Sequence, residues 1–298
     1  MLFYFTFVQT SSLKREKVYQ DDVYQVYDVH PPHGTFRVFA PNQLVREDLN
    51  HGYINLKKSN HIAIPYIKLL LGSLYLLPTR TPKRILMIGL GIGVLPRALN
   101  LILKDSHLDV VEIDPRTLKI AQDYFFFKNS PPKLNVIFGD GYEYVMNLTS
   151  EKYDIIVLDA FMDISEETCA PEAFLSEKFV RKVKERLNSN GVYVVNSLPF
   201  SCSKYSYERD LLHSMFGNVY IGSIITNTIT FAQKGRAPTK RQIKSRVDYY
   251  KKLFQRLDTD GEWILSVYKG FKRVKRNSAY TNVCHLFNYT FVDFFCSI

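Results

Sequence analysis

The chain has 298 residues, 46% of them hydrophobic and 23% charged, and a formal net charge of +10. This composition is typical of a globular protein with room for one large α/β domain and a smaller appendage. The four cysteines form no Cys-x-x-Cys pair, so we predict no metal site and no disulfide framework and place the chain in the cytoplasm. The apolar stretch Met1–Val8 is too short to span a bilayer, and no membrane association is expected.

The first predicted elements form a small antiparallel β unit. Apolar residues partly alternate through Lys17–Val29 and Thr35–Ala40, and Pro31-Pro32-His33-Gly34 between them is a turn signal. Ile62–Leu77 then has the apolar period of a helix. We therefore divide the chain into an N-terminal β unit (1–58), a main domain (59–268) and a tail without a recognisable pattern (269–298).

The main domain alternates strand and helix patterns. Its predicted strands are Arg84–Ile88, Leu108–Ile113, Leu134–Phe138, Asp154–Leu158 and Gly191–Asn196. Its predicted helices are Val94–Leu103, Pro115–Phe125, Gly141–Leu148 and Phe174–Leu187. A hairpin (Val219–Ile225 and Thr228–Gln233), a basic helix (Gln242–Leu257) and a short strand (Trp263–Tyr268) follow. The pattern predicts an α/β fold with a doubly wound, mostly parallel, seven-stranded sheet.

Glycine or an acidic residue follows each of the first four predicted strands. The first strand runs into Gly89, Gly91 and Gly93, which suit a tight turn that lets a ligand approach the backbone. The second strand ends in Glu112-Ile113-Asp114, and a carboxylate there suits the two hydroxyls of a ribose. The later strands end in Gly139-Asp140-Gly141 and in Asp159. These four strand ends together predict a site for a nucleoside-containing cofactor.

Each of these residues also has an ordinary structural explanation. The glycines could form a plain tight turn, Glu112 could be a solvated carboxylate, and Asp140 could cap the following helix, a role that is compatible with ligand contact. Asp163 lies in an acidic loop and on its own is typical of a solvated side chain. A nicotinamide dinucleotide fits poorly, because the third glycine of its Gly-x-Gly-x-x-Gly pattern falls on Val94 or Pro96.

On these motifs, the stretch from Pro82 to Leu198 resembles the spermidine synthase-like branch of the class I S-adenosylmethionine-dependent methyltransferase superfamily. The β unit before Asn42 is similar to the N-terminal domain of that branch. The segment from Ala170 to Phe179 is more weakly similar to the C-terminal half of the methyltransferase that modifies elongation factor 1-alpha. The resemblance implies S-adenosylmethionine or its decarboxylated form as the cofactor, and we also consider a homodimer.

The resemblance also implies roles for individual residues. The glycines and Gly141 would line the cofactor site, where Glu112 would hold the ribose hydroxyls, Ile113 would pack on the adenine and Asp140 would accept from the adenine amine. Gln43 would lie near the cofactor tail and His61 near the nucleoside. Asp159 would match the aspartate that helps deprotonate an attacking amine, and Asp163 would be a second catalytic carboxylate.

Two departures from the family pattern decide how we rank the activities. In aminopropyltransferases an aspartate inside the glycine loop binds the amine of the aminopropyl donor. This chain has Ile92 at that position. Leaving that ammonium unpaired in a dry pocket would cost on the order of a few kcal/mol. In addition, Asp163 lies one place late for the family's Asp-x-x-Asp-Pro gate, and no proline follows it.

We therefore favour a methyltransferase that acts on an amine, with the acceptor, a polyamine-like amine or a protein, left open. An aminopropyltransferase of polyamine biosynthesis and a catalytically silent binding module are the alternatives. A further feature is the stretch Lys234–Arg276, with 14 Lys/Arg and four Asp/Glu. It could attract an acidic partner, or it could be a solvated helix face.

Overall fold

The computed structural model describes residues 13–32, 34–42, 51–164, 167–198, 204–224, 227–257 and 272–273. An antiparallel sheet comes first, and its four strands pair in chain order. They are β1 (Arg15–Gln20), β2 (Tyr24–Val29), β3 (Phe36–Pro41) and β4 (Gly52–Asn55). The prediction of a small antiparallel unit ahead of the main domain is confirmed.

Among the described residues, the main sheet has seven longer strands and a two-residue edge strand. Its strands are β5 (Arg84–Ile88), β6 (His107–Glu112), β7 (Leu134–Phe138), β8 (Tyr153–Leu158), β11 (Leu187–Ser197), β12 (Asn218–Ser223), β13 (Thr228–Gln233) and β14 (Lys272–Arg273). Strands β9 (Met162–Ile164) and β10 (Glu167–Cys169) form a separate hairpin. The spatial order is β14-β12-β13-β11-β8-β5-β6-β7, with β5, β6, β7, β8 and β11 parallel to one another.

Strand β13 enters the sheet between β11 and β12 and runs antiparallel to both. The predicted closing hairpin is therefore present, and the predicted fold class is confirmed. In the part of the chain that the structure describes, seven α-helices connect the strands: α1 (Pro65–Leu70), α2 (Val94–Ile102), α3 (Pro115–Tyr124), α4 (Gly141–Asn147), α5 (Glu177–Arg186), α6 (Tyr205–Met215) and α7 (Lys240–Phe254).

Apolar side chains of the central strands alternate between the two faces of the sheet. Ile85 and Met87 belong to the hydrophobic cluster that also contains residues of α1, α2 and α7. Leu86 and Ile88 belong to the cluster that contains residues of α4, α5 and α6. Both faces are thus covered by helices, as a doubly wound sheet requires.

Two predicted helices are wrong in their extent. The predicted helix Ile62–Leu77 is an α-helix only over α1 and continues as a 3₁₀ helix over Leu71–Tyr75. The predicted helix Phe174–Leu187 is interrupted at Ser176, which has extended backbone and whose Oγ accepts from the Phe179 N–H at 3.2 Å. This side-chain cap starts α5 three residues late, because serine at this position satisfies a free N–H of the first turn.

The predicted strand Trp263–Tyr268 and the stretch Met1–Val8 lie outside the described residues. Lys272–Arg273, within the predicted tail, pairs antiparallel with Tyr220 and Ile221 of β12. The three-part division of the chain stays a prediction.

The main sheet grows outward from β5 in two directions. Strands β6 and β7 lie on one side of β5, and β8 and β11 lie on the other. In such sheets the crevice at the carboxyl ends of these strands is where ligands bind.

Candidate functional site

The glycine loop connects β5 to α2 at the carboxyl edge of the sheet. Gly89, Gly91 and Gly93 have φ angles of +97°, +51° and +74°, which L side chains rarely adopt. A Cβ on Gly89 would collide with the carbonyl oxygen of Asp159, and one on Gly93 would collide with the Phe127 ring. The loop therefore packs directly against the end of β8 at Gly89, and Gly89 and Gly91 are half-buried.

Glu112, the last residue of β6, connects the glycine loop to the turn after β6. Its Oε2 accepts from the Leu90 N–H at 2.9 Å and its Oε1 accepts from the Asp114 N–H at 2.9 Å. The side chain is only 8% exposed, and burial raises the pKa of its carboxyl. Each carboxylate oxygen can accept a second hydrogen bond, so Glu112 can bind a pair of hydroxyls without breaking either backbone contact.

Two apolar side chains are exposed beside Glu112. Ile113 is 70% exposed and Phe138, which pairs with Glu112 across β6 and β7, is 53% exposed. Large apolar groups that are this exposed at the edge of a buried sheet are suited to cover a planar ligand such as a nucleobase. The Glu112 carboxylate, which accepts hydrogen bonds, and this apolar surface together fit the ribose and the base of an adenosine moiety.

Asp140 lies at the end of β7 and caps α4. Its Oδ1 accepts from the Tyr142 N–H at 2.6 Å and the Glu143 N–H at 3.3 Å. The side chain is exposed, so capping leaves its other oxygen available to a ligand amine. The adjacent Gly141 has no room for a Cβ, which would collide with Ile88, so the beginning of α4 packs closely on the end of β5.

Asp159 follows β8 and is half-buried. Its Oδ1 accepts from Asn196 Nδ2 at 2.8 Å, and its Oδ2 accepts from the Tyr66 hydroxyl at 3.4 Å. Burial raises the pKa of its carboxyl, and the two hydrogen bonds act in the opposite direction. The arrangement supplies a hydrogen-bonded carboxylate that can accept a proton or orient a cationic or amine group.

The N-terminal sheet contacts the same edge. The Tyr24 hydroxyl donates to Asp114 Oδ2 at 3.1 Å, and the Cβ position of Gly91 lies 3.8 Å from the His51 carbonyl oxygen. The Ile92 side chain is 4% exposed and meets the N-terminal sheet at Gly52, whose Cβ position lies 3.0 Å from Ile92 Cδ1. Ile92 is thus part of the hydrophobic core between the two sheets.

The structure brings most of the predicted site residues to one edge. These residues end a strand or follow it closely, and the strands concerned are adjacent in the sheet. They are the glycine loop, Glu112, Ile113, Asp140 with Gly141, and Asp159. His61 is half-buried in the turn before α1, where its backbone N–H donates to the Lys58 carbonyl oxygen at 2.9 Å. Gln43 lies outside the described residues. For Asp163 the structure describes only its backbone pairing with Thr168 in the β9–β10 hairpin.

Sequence reasoning missed three polar residues near Asp159, namely Tyr66, Asn196 and Asn227. Asn196 could have been found by the strand-end rule, because it closes the fifth predicted strand. Tyr66 and Asn227 come from distant parts of the chain, and no local pattern marks them.

Within the described residues, no cluster of three metal-ligating side chains occurs, and no helix there is long and apolar enough to cross a membrane.

Comparison with known proteins identifies relatives of two kinds. A polyamine aminopropyltransferase of Vibrio vulnificus is 39% identical over 166 residues, which cover 55% of this chain and 52% of that protein. The eEF1A lysine and N-terminal methyltransferase of Mus musculus is 37% identical over 123 residues, which cover 39% of this chain and 17% of that protein. The chain thus spans about half the length of the first relative and much less of the second.

A solved structure of human methyltransferase-like protein 13 in complex with SAH superposes with a TM-score of 0.57 at 26% identity, covering 66% of this chain and 94% of that one. The family model described as the spermine/spermidine synthase domain matches residues 66–230, more than half of the chain. The relatives confirm the resemblance that the strand-end motifs indicate, and the chain belongs to the spermine/spermidine synthase domain family.

Proposed function

We propose that this chain transfers a methyl group from S-adenosylmethionine to an amine, with a protein as the acceptor. Glu112 would hold the ribose, Ile113 and Phe138 would cover the adenine and Asp140 would accept from its amine. When bound, the donor supplies a sulfonium whose methyl carbon is electrophilic. The carboxyl edge described above supports this assignment, since its hydrogen-bonding groups and its exposed apolar surface match the two halves of adenosine.

The burial of Ile92 is the observation that favours methyl over aminopropyl transfer. Both donors carry a tail ammonium, but in the decarboxylated form this ammonium has no carboxylate beside it, and aminopropyltransferases place an aspartate at the position of Ile92 to bind it. Here that position is apolar, 4% exposed and packed against Gly52. A charge beside it would be without a partner, at a cost on the order of a few kcal/mol.

Asp159 is the residue we assign to the acceptor. An amine can attack only through its free lone pair. A carboxylate that accepts a hydrogen bond from the amine orients this lone pair and can then take up the proton that the amine loses. As the N–C bond forms and the C–S bond breaks, the electron pair stays on sulfur and the amine proton moves to Asp159 or to solvent. The raised pKa of Asp159, caused by burial, suits it to receive this proton.

The likeness to the eEF1A lysine and N-terminal methyltransferase of mouse supports a protein acceptor. The departure of Asp163 from the family's Asp-x-x-Asp-Pro pattern is a second argument for an acceptor other than a polyamine.

The proposal also includes a cytoplasmic location, a homodimer and an acidic partner for residues 234–276. The first follows from the cysteine pattern, and the last from the exposed basic side chains of α7.

Polyamine aminopropyl transfer is the second candidate, because the relative from Vibrio vulnificus is 39% identical. A labelling experiment separates the two. Incubation with S-adenosylmethionine labelled in the methyl group should label a lysine-containing protein in a cell extract, whereas putrescine and decarboxylated donor should give no spermidine.

The Asp159→Asn variant is the control for this assay. It should bind S-adenosylhomocysteine as the wild type does and lose at least about tenfold in methyl transfer, since general base and orienting effects are of this size or larger. Formation of spermidine by the wild type, or unchanged methyl transfer by Asp159→Asn, would contradict the proposal.

A further inference from the structure

Two buried asparagines extend the hydrogen bonding of Asp159 across neighbouring strands. Asn196, in β11, is 2% exposed and donates from Nδ2 to Asp159 Oδ1 at 2.8 Å. Asn227, directly before β13, is 6% exposed and donates from Nδ2 to Asn196 Oδ1 at 3.0 Å. Since β13, β11 and β8 are adjacent in the sheet, the two amides form a continuous path from β13 to Asp159.

The direction of these hydrogen bonds follows from the chemistry of the groups. An ionised carboxylate only accepts, so Asn196 must turn its NH₂ toward Asp159. Its carbonyl oxygen then points to Asn227, which must donate. Asn227 therefore fixes which end of the Asn196 amide faces the carboxylate.

Among the described residues, two contact the Asp159 carboxylate: Tyr66 of α1 donates to Oδ2 and Asn196 of β11 donates to Oδ1. The Asp159 backbone is held at the end of β5, where its N–H donates to the Ile88 carbonyl oxygen and its own carbonyl lies against Gly89. Tyr66 is the titratable group among these contacts, and burial together with the neighbouring carboxylate raises its pKa well above the ordinary value. The hydroxyl stays protonated at neutral pH, so Asn196 is the group whose orientation can change the field at Asp159.

We propose that Asn227 is a positioning residue that acts through Asn196 to keep Asp159 ionised and its Oδ2 directed toward the acceptor. This inference rests on the proposed function, in which Asp159 meets the acceptor amine. Residues that act through one another in a buried network show coupled effects on substitution. The coupling can be measured on Asp159 itself, without any acceptor.

Asn227→Asp is the decisive substitution, because it keeps the shape and replaces the donor with an acceptor. The two carboxylates then compete for the Asn196 NH₂, and the Asn196 oxygen faces the one that loses. The weakened hydrogen bond to Asp159 and the repulsion between facing acceptors both disfavour the ionised form, so the pKa of Asp159 should rise by about one unit or more. Asn227→Ala, which only removes the donor, should give a smaller rise.

The readout is the ¹³Cγ chemical shift of Asp159 followed against pH in the full chain, with the resonance assigned by Asp159→Asn. A new negative charge also acts through space, and Asn196→Ala separates the two effects. If Asn196 transmits the effect, Asn227→Asp should shift the pKa at least twice as far in the wild-type background as in Asn196→Ala. Equal shifts in both backgrounds, or none in either, would overturn the proposal.

Asn218→Asp is the matched control. Asn218 is 7% exposed and its Nδ2 donates to the Gly235 carbonyl oxygen at 2.7 Å, at the opposite end of β12 and β13. This variant should lose stability and leave the Asp159 titration unchanged. If the wild type transfers no methyl group, the proposed function fails, whereas the titrations still decide the role of Asn227.

Discussion

Glu112 has a structural role even without a ligand. By accepting from the N–H groups of Leu90 and Asp114, it holds the glycine loop and the turn into α3 at a fixed separation. The same carboxylate is the group we assign to the ribose. A substitution must therefore be chosen that separates loop geometry from ligand contact.

Glu112→Gln comes nearest to this, because it keeps the length of the side chain and removes the charge that strengthens the hydrogen bonds to ribose. Its amide oxygen can still accept from one of the two backbone N–H groups. Hydrogen bonds to charged groups contribute about 1.5–3 kcal/mol, so the Kd for S-adenosylhomocysteine should rise about 10- to 100-fold. Titration calorimetry measures it, with Glu177→Gln on the exposed first turn of α5 as the control. Equal affinities for the wild type and Glu112→Gln would place the nucleoside elsewhere.

At the scale of elements, α6 contains an acid that contacts the end of β11 and that the proposed chemistry does not use. Glu208 is 6% exposed, and its Oε1 accepts from Ser197 Oγ at 2.6 Å. Burial raises the pKa of Glu208 to about 7. The folded chain thus binds this proton more tightly than the unfolded chain, so this carboxyl makes the fold less stable as the pH rises from its ordinary pKa toward 7.

Glu208→Gln removes this penalty and keeps an acceptor for Ser197. At pH 8 the variant should be more stable than the wild type by about 1–3 kcal/mol, and at pH 4 the two should differ little. Urea unfolding at both pH values measures the difference, and Glu177→Gln, at an exposed site, should change neither. A Glu208→Gln variant that is equally or less stable at pH 8 would show that the acid is not destabilised in the fold.

The sequence predicts elements well where burial alone decides. The limits of β5, β7 and β13 match the apolar runs at Arg84–Ile88, Leu134–Phe138 and Thr228–Gln233. The starts of α2 and α4 match as well, because Gly93 and Asp140 mark them. The extents of α1 and α5 are wrong, since a local change to 3₁₀ geometry and the Ser176 cap do not alter the apolar period.

The residues of the candidate site are likewise of two kinds, those that the sequence predicts and those that it does not. Residues at the ends of parallel strands are predictable because topology alone places them at one edge. Tyr66 and Asn227 are not predictable in this way, since they reach Asp159 through tertiary packing, across 93 residues and through Asn196 respectively. The contact between Ile92 and Gly52 is likewise a matter of how the two sheets pack.

At the scale of the whole molecule, positive charge is concentrated on one segment. Residues 234–257 include nine Lys/Arg and one Asp. Lys240, Arg241 and Lys244 are exposed on α7, which is anchored by Val247, Tyr250 and Phe254 in the core. The helix is therefore held by its apolar face and presents its basic face outward.

This face should bind a polyanion if it has an acidic partner. A 20-nucleotide single-stranded RNA serves as the probe, with affinity measured between 50 and 200 mM salt. Replacing Lys240, Arg241 and Lys244 by Gln should weaken binding and flatten the plot of log K against log salt by about two units, as expected for three lost phosphate contacts. Replacing the exposed Lys119, Lys128 and Arg181 should leave the slope unchanged. Equal losses in both triple variants would assign the charge of α7 to general solvation.

In the proposed function the carboxyl edge binds an S-adenosyl donor, and Ile92 disfavours the decarboxylated form, whose ammonium has no neighbouring carboxylate. Titration calorimetry of the wild type with S-adenosylmethionine and with its decarboxylated form tests both parts. We predict that S-adenosylmethionine binds at least about tenfold more tightly and that Ile92→Asp reduces this ratio. Tighter binding of the decarboxylated form to the wild type would reassign the chain to aminopropyl transfer, and absence of binding for both donors would make it a silent binding module.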